Sequence, residues 1–240
     1  KIVNQLTNEP GYDAEATVSP DGKSIVYTST RSGDLELWIM DIDGENKHQI
    51  TKELGYDGGA FFSPDNKKLI FRSSRPKTEE EITKYKAYLA EGLVAPTNME
   101  LYTVNVDGSD LKQITSLGKA NWAPFYHPDG KRVIFSSNHK SERGYDFDLY
   151  MINDDGSNLE QITTESIFNS FPMFSPDGKY LVSASFDSKI KLFDVEKNYE
   201  LIGELDGHND RVVSVRWHPE VPLLISTSAD KTARLWIPDT

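Results

Sequence analysis

Short runs of alternating apolar and polar residues recur along this chain, each closed by turn-forming residues, which is the pattern of half-buried β-strands. The clearest run is 24–30, Ser-Ile-Val-Tyr-Thr-Ser-Thr, rich in residues that fit a pleated surface. Residues 14–19 read as the strand before it. Pro20-Asp21-Gly22 makes the tight turn between them, since proline presets φ and glycine accepts positive φ. Residues 36–41 read as a third strand, Asp43-Gly44 as a hairpin turn, and 47–51 as a fourth strand.

The unit then repeats. Ser19-Pro20-Asp21-Gly22 returns as Ser63-Pro64-Asp65-Asn66, His127-Pro128-Asp129-Gly130 and Ser175-Pro176-Asp177-Gly178, and more weakly as His218-Pro219-Glu220-Val221. Successive copies are 44, 64, 48 and 43 residues apart. A second marker keeps the same phase: Gln5-Leu6-Thr7, Gln49-Ile50-Thr51, Gln113-Ile114-Thr115 and Gln161-Ile162-Thr163, at spacings of 44, 64 and 48. Two markers sharing one period identify stacked units, and four short strands per unit identify the blade of a β-propeller. The predicted fold is all-β: a five-bladed propeller of four-stranded antiparallel blades, forming one domain over 1–240.

Two irregularities refine this. The 64-residue spacing carries a surplus at roughly 76–98. There Thr78 is a helix cap followed by Glu79, Glu80 and Glu81, then Ile82, Tyr85, Tyr88 and Leu89 at helical spacing, with Gly92 as the stop. This predicts a short helix inserted in blade 2, its apolar stripe packed on the propeller rim. The second irregularity is at the end of the chain. The last unit has strands at 212–217, 223–228 and 232–237 but no fourth, while 2–7 ends in the marker of a fourth strand. The N-terminal strand is therefore expected to complete the C-terminal blade, since an open ring would leave sheet edges exposed. A monomer is expected, with a strand-swapped dimer as the alternative product of imperfect closure.

The motifs are of two kinds. The Ser-Pro-Asp-Gly turns, the Gln-Ile-Thr strands, the turns ending at Gly44, Gly108 and Gly156, and Ile134-Phe135-Ser136-Ser137-Asn138 resemble TolB-like (PD40) propellers over residues 1–182. From Ser183 the run Ser-Ala-Ser-Phe-Asp-Ser-Lys-Ile-Lys-Leu-Phe-Asp is similar to a WD40 blade. Gly207-His208 followed by 226–236 (Ser-Thr-Ser-Ala-Asp-Lys-Thr-Ala-Arg-Leu-Trp) gives a fuller WD40 pattern over 183–240. The WD40 resemblance implies a structural hydrogen-bond network of His208, Ser226 or Ser228, Asp230 and Trp236. It implies an incomplete one in blade 4, where Asp187 is present but Phe193 replaces the tryptophan and no Gly-His precedes the blade. A change of repeat type within one blade, in a ring smaller than either family usually builds, implies a chimera: a non-enzymatic, engineered scaffold with no dedicated activity. The alternatives are a natural protein- or peptide-binding module, and a gating domain detached from a serine peptidase. The TolB-like resemblance implies a periplasmic or extracellular parent, the WD40 resemblance a cytoplasmic one.

Composition narrows the chemistry. Zero cysteines exclude disulfides, Cys-ligated zinc and a thiol nucleophile, and a net charge of −12 argues against nucleic acid or anionic lipid as partner. No apolar stretch is long enough for a membrane span, and 1–15 lack the basic and apolar regions of a signal peptide. No metalloprotease, nucleophile-elbow, Walker or dinucleotide motif occurs, so no catalytic, cofactor or metal residue is expected. The Asp41-Ile42-Asp43-Gly44 stretch could be taken for a calcium loop, but Lys52 stands where the closing bidentate acid belongs, so hairpin chemistry explains it. Arg31, Arg75, His139 and Arg143 lie in loops after the second strands of their blades. They are the weak candidates for a ring-face site holding a peptide or protein, against the plainer reading of solvated loops.

Overall fold

The computed structural model describes residues 4–95, 98–164 and 168–237. The chain is an all-β, five-bladed propeller of small antiparallel sheets with one short helix. Blade 1 comprises β1 (Asp13–Val18), β2 (Ser24–Ser29), β3 (Glu36–Asp41) and β4 (His48–Gln49). Blade 2 comprises β5 (Asp57–Phe62), β6 (Lys68–Ser73), β7 (Glu100–Asn105) and β8 (Lys112–Gln113), with α1 (Glu79–Ala90) between β6 and β7. Blade 3 comprises β9 (Asn121–Tyr126), β10 (Arg132–Ser137), β11 (Asp148–Asn153) and β12 (Glu160–Gln161). Blade 4 comprises β13 (Asn169–Phe174), β14 (Tyr180–Ser185), β15 (Ile190–Asp194) and β16 (Glu200–Leu205). The C-terminal segment supplies three strands of blade 5: β17 (Val212–Trp217), β18 (Leu224–Ser228) and β19 (Ala233–Trp236).

Two compact units divide the chain, 1–122 and 123–240. In the first, Val26, Leu37, Ile39 and Ile50 of blade 1 pack with Ala60, Phe62, Leu69, Phe71, Tyr102 and Val104 of blade 2. In the second, Ile134, Leu149 and Met151 of blade 3 pack with Phe174, Leu181 and Phe193 of blade 4. Blade 5 is more open: Val212 and Val215 are fully buried, but Ile225 and Leu235 are 49% and 60% exposed.

The repeated motifs are local hydrogen-bond devices. In Ser-Pro-Asp-Gly, Ser19 donates its hydroxyl to Asp21 (2.6 Å) and accepts the amide of Ser24 (2.9 Å); Ser63 and Ser175 do the same. His127 and His218, in the serine position, keep the turn by accepting backbone amides at Nδ1. In Gln-Ile-Thr, the threonine hydroxyl accepts the amide of the third strand: Leu37 to Thr51, Leu101 to Thr115, Leu149 to Thr163, at 2.8–2.9 Å. It also donates to the acid that opens that strand, Glu36, Glu100 or Asp148. A side chain thus replaces the ladder there. The fourth strands of blades 1 to 3 are accordingly only two residues long, shorter than the sequence pattern predicts, whereas β16 runs for six.

The remaining expectations fall as follows. The helix begins at its predicted cap: Thr78 and Glu81 form a reciprocal capping box, and Gly92 sits beyond the end at φ +69°. Ile82, Tyr85, Tyr88 and Leu89 form a half-buried stripe, with Tyr85 donating to Asp34. The acidic hairpin turns are hairpins. Asp43, Asp107 and Asp155 accept amides two residues on, and no group of metal-ligating side chains occurs among the described residues. The proposed closing strand begins at residues outside the described set, 1–3. In its described part, Gln5 donates to the Thr7 carbonyl as Gln49 does to that of Thr51. Leu6 lies 3.2 Å from where a side chain on Gly44 would begin, and the Ile50 carbonyl lies 2.9 Å from the same place on Gly108. Residue 6 therefore stands to blade 1 as residue 50 stands to blade 2.

Candidate functional site

Strand register picks out one structural position in every blade. In blade 1 Tyr27 on β2 faces Trp38 on β3; in blade 2 Phe71 faces Tyr102; in blade 3 Phe135 faces Tyr150. Four residues further on stand Arg31, Arg75 and His139. Each lies on the aromatic of the third strand. The Arg31 guanidinium is 5.0 Å from the Trp38 ring centre, Arg75 is 5.2 Å from Tyr102, and the His139 ring is 4.6 Å from Tyr150. Acids opening the first strand anchor both arginines: Asp13 at 3.4 Å from Arg31 and fully buried Asp57 at 2.6 Å from Arg75. Glu9 adds a contact to Arg31 at 3.3 Å. Three of the four loop candidates are thus fasteners within their own blades, and both arginine side chains are only 14% exposed. The fourth, Arg143, lies elsewhere in the blade-3 loop and has no hydrogen-bond or ion-pair partner among the described residues.

The set is exchanged in blades 4 and 5. Ser183 now faces Lys191, and Ser226 faces Arg234. Four residues on come Asp187 and Asp230. Aromatic pairs become serine–cation pairs, and the loop charge inverts.

In blade 5 this exchange builds a closed chain of donors. The Trp236 indole N–H donates to Ser226 Oγ at 2.8 Å. Ser226 Oγ lies 2.7 Å from His208 Nε2, and His208 Nδ1 lies 2.9 Å from Asp230 Oδ2. The partners assign the protons: Ser226 donates to Nε2, and Nδ1–H donates to the carboxylate. Thr232 donates to Asp230 at 2.6 Å and the Asn209 amide donates at 3.0 Å. The Thr232 hydroxyl first, then the Asn209 amide and His208, hold the Asp230 carboxyl far below the usual carboxylate range. The order Ser–His–Asp is that of a hydrolytic triad, but the access is not. Ser226 is 1% exposed and its oxygen is capped by the indole N–H, so no substrate carbonyl reaches it.

Ser228 has a different role. It accepts the Asp230 amide at 3.0 Å, as Ser29, Ser137 and Ser185 accept the amides of Arg31, His139 and Asp187. This serine turn is common to both kinds of blade, so Ser226 is the serine of the four-residue chain. Asp187 accepts the Lys189 amide at 3.0 Å and meets no imidazole among the described residues, while Phe193 is buried where blade 5 has Trp236.

A cluster with no sequence signature joins blades 1 and 2. Glu15, left-handed at φ +56°, accepts from Tyr56 (2.8 Å) and from the Gly59 amide (2.9 Å), and pairs with Arg72. Arg72 also donates to the Tyr56 hydroxyl at 2.6 Å. Burial pushes the Tyr56 hydroxyl well above its ordinary range, so it stays a donor. Only the repeat register could have revealed it, because Glu15, Gly59, Ala123 and Phe171 share one position and all have positive φ.

Residues 3–92 match the family model of the TolB beta propeller domain (PD40), and residues 164–194 and 199–236 match that of the WD domain, G-beta repeat. The chain therefore carries both kinds of propeller sequence. The WD40 match begins at residue 164, ahead of Ser183, and so takes in β13. A probable cytosolic iron-sulfur protein assembly protein CIAO1 homolog of Chlamydomonas reinhardtii is 54% identical over 37 residues, 15% of this chain and 10% of that protein. Dipeptidyl-peptidase 5 of Porphyromonas gingivalis is 54% identical over 39 residues, 16% of this chain and 6% of that protein. Both matches therefore span a tenth or less of those relatives. Among solved structures, a putative TolB from Agrobacterium tumefaciens superposes with TM-score 0.65 at 21% identity, covering 95% of this chain and 77% of its own. TolB from Acinetobacter baumannii gives 0.67 at 21%, covering 96% and 55%. An oligogalacturonate lyase in complex with manganese gives 0.63 at 20%, covering 94% and 61%. At these identities the likeness is one of fold.

Proposed function

We propose that this chain is a non-enzymatic propeller scaffold in which TolB-like and WD40 blades have been recombined, with no dedicated biochemical activity. The observation that carries the reading is the exchange of side-chain sets at one register position. Aromatic pairs capped by Arg31, Arg75 or His139 in blades 1 to 3 give way, from blade 4 on, to serine–cation pairs with Asp187 or Asp230. Gradual divergence of one repeat would leave mixed sets, whereas joining two repeat types leaves a step. The triad-like arrangement of blade 5 is buried and sealed by Trp236, which favours a structural role. The test incubates the purified chain, with and without manganese, with chromogenic dipeptide substrates and with oligogalacturonate. No turnover above blank is expected. Turnover abolished by a single side-chain substitution overturns the non-enzyme reading, and one natural reading frame encoding both halves overturns recombination by design.

The second reading is a natural module that binds a protein or peptide. The free guanidinium of Arg143, in a loop where the other basic groups are already paired, favours it. A pull-down in which Arg143→Ala loses a partner kept by Arg31→Ala would support it.

A further inference from the structure

Neighbouring blades of this chain pack by one rule. The second and third strands of a blade present an apolar row, and the first strand of the next blade covers it. Val26 and Ile39 of blade 1 pack with Ala60 and Phe62 on β5, and Ile134 and Met151 of blade 3 pack with Phe174 on β13. The row stands one residue before the register position of the aromatic and serine pairs. It holds Val26, Ile70, Ile134 and Val182 in blades 1 to 4, each 0% exposed. The cover stands just before the Ser-Pro-Asp or His-Pro-Asp turn, and there Phe62, Tyr126 and Phe174 are all buried.

At the two ends of the repeat both halves of this contact are bare. In blade 5 the row is Ile225 with Leu235 opposite it on β19, and they are 49% and 60% exposed. Thr227 and Ala233, the next pair along, are exposed as well. On β1 the cover is Val18, which is 55% exposed. Ala16, two residues before it, is exposed where Ala60, Pro124 and Pro172 are buried. The end repeats of a stacked array normally turn a polar face to water. Here neither face does so, although the chain carries a net charge of −12 and has acids to place there.

We propose that these two faces bind each other between copies of this chain. Blade 5 of one copy packs against blade 1 of a second copy, with Ala16 and Val18 lying on Ile225 and Leu235 as Ala60 and Phe62 lie on Val26 and Ile39. The occupant is a second copy because the fold already uses this contact: row and cover keep the register and the apolar chemistry of the buried blade interfaces. The contact joins unlike faces, so it is head to tail, and it adds copies in series or closes a ring of them. The inference goes beyond the scaffold reading and stands whether the chain is recombined or natural.

The test is sedimentation of the full chain over a range of concentrations, in salt high enough to screen the repulsion between acidic copies. The mass should rise with concentration. Ile225→Glu and Val18→Glu should each weaken association by about tenfold or more, since either puts a charge into an apolar contact. Both positions are exposed in the single chain, so the Tm of each dilute variant should match that of the parent. Leu235→Lys takes the place of Ile225→Glu if that variant unfolds. An equimolar mixture of the two glutamate variants should form a dimer and nothing larger, because each still offers the face the other has lost. Three results would overturn the proposal: a monomer at every concentration, as when the two faces close on each other within one chain; variants that associate as the parent does, as in strand exchange at β19; or a mixture that stays monomeric while the parent associates, which would mean that like faces meet.

Discussion

Replacing Glu36 by glutamine should stabilise this protein, and increasingly so as pH rises. Glu36 is 2% exposed and accepts the Thr51 hydroxyl at 2.5 Å. Its blade-2 counterpart, Glu100, also accepts the Gly118 amide at 2.7 Å and the Asn121 side-chain amide at 3.1 Å. Where Glu100 faces the amide of Asn121, Glu36 faces the carboxylate of Asp57. Burial pushes Glu36 up to about 8 against the opposing pull of the Thr51 hydroxyl, with the Asp57 and Asp34 charges adding to the rise. Burial likewise raises Asp57 against the pull of Arg75. The sign follows from linkage. Between pH 4.5 and 8 the folded chain holds the Glu36 proton and the unfolded chain does not, so stability falls as pH rises through that window. At about 1.4 kcal/mol per unit, the folded protein gives up on the order of 4 kcal/mol by pH 8. In Glu36→Gln the new amide carries no charge, still accepts from Thr51, and offers Asp57 a donor. Thermal unfolding of both proteins at pH 5, 6, 7 and 8 should give nearly equal Tm values at pH 5. By pH 8 the variant should lead by roughly 8–16 °C, at about 2–4 °C per kcal/mol for a chain of this size. Parallel curves across that range, or a less stable variant at pH 8, would refute the buried-carboxyl argument.

Other consequences can be measured independently. Ser226→Ala leaves the His208 ring nitrogen and the Trp236 indole N–H unpaired in the interior and should cost about 2–4 kcal/mol in urea unfolding. Asp187→Ala, whose aspartate meets no imidazole, should cost under about 1 kcal/mol. Tyr85→Phe removes the helix's bond to Asp34 and should cost about 1 kcal/mol, read as faster proteolysis within 77–93 while the blades stay intact. Ala123, held at φ +49° where blade 2 has Gly59, should gain about 0.5–1 kcal/mol of stability on replacement by glycine. At the acid end, hydroxyls of Ser19, Ser63 and Ser175 hold Asp21, Asp65 and Asp177 below the usual carboxylate range. Their contribution should disappear as pH falls through those lowered values, giving a stability maximum near pH 5.

Much of the fold was legible because the propeller writes its local bonds into its repeats. A serine two residues before an aspartate, or a threonine two after a glutamine, satisfies backbone groups within one turn, so the motif and the geometry are one fact. The helix was legible for the same reason, with Thr78 and Glu81 capping each other. The donor chain of blade 5 could be inferred only through resemblance, since His208 and Asp230 are 22 residues apart. The left-handed bulge at Glu15, Ala123 and Phe171 was hidden, because only Gly59 announces positive φ. The loop arginines looked available because a sequence shows their charge and not Asp13 or Asp57 folded back against them.

The sequence by itself determined the period, the strands, the inserted helix and the presence of two repeat types. These depend on contacts a few residues apart, where chain connectivity sets the geometry. Tertiary structure decided which charges are free. Arg31 and Arg75 are held by acids on neighbouring strands, burial makes Glu36 keep a proton, and Lys140 takes the Gln161 oxygen whose blade-2 counterpart on Gln113 accepts from Tyr102. Each outcome depends on which side chains register brings within a few ångströms inside a medium of low polarity, where one misplaced donor outweighs any propensity along the chain.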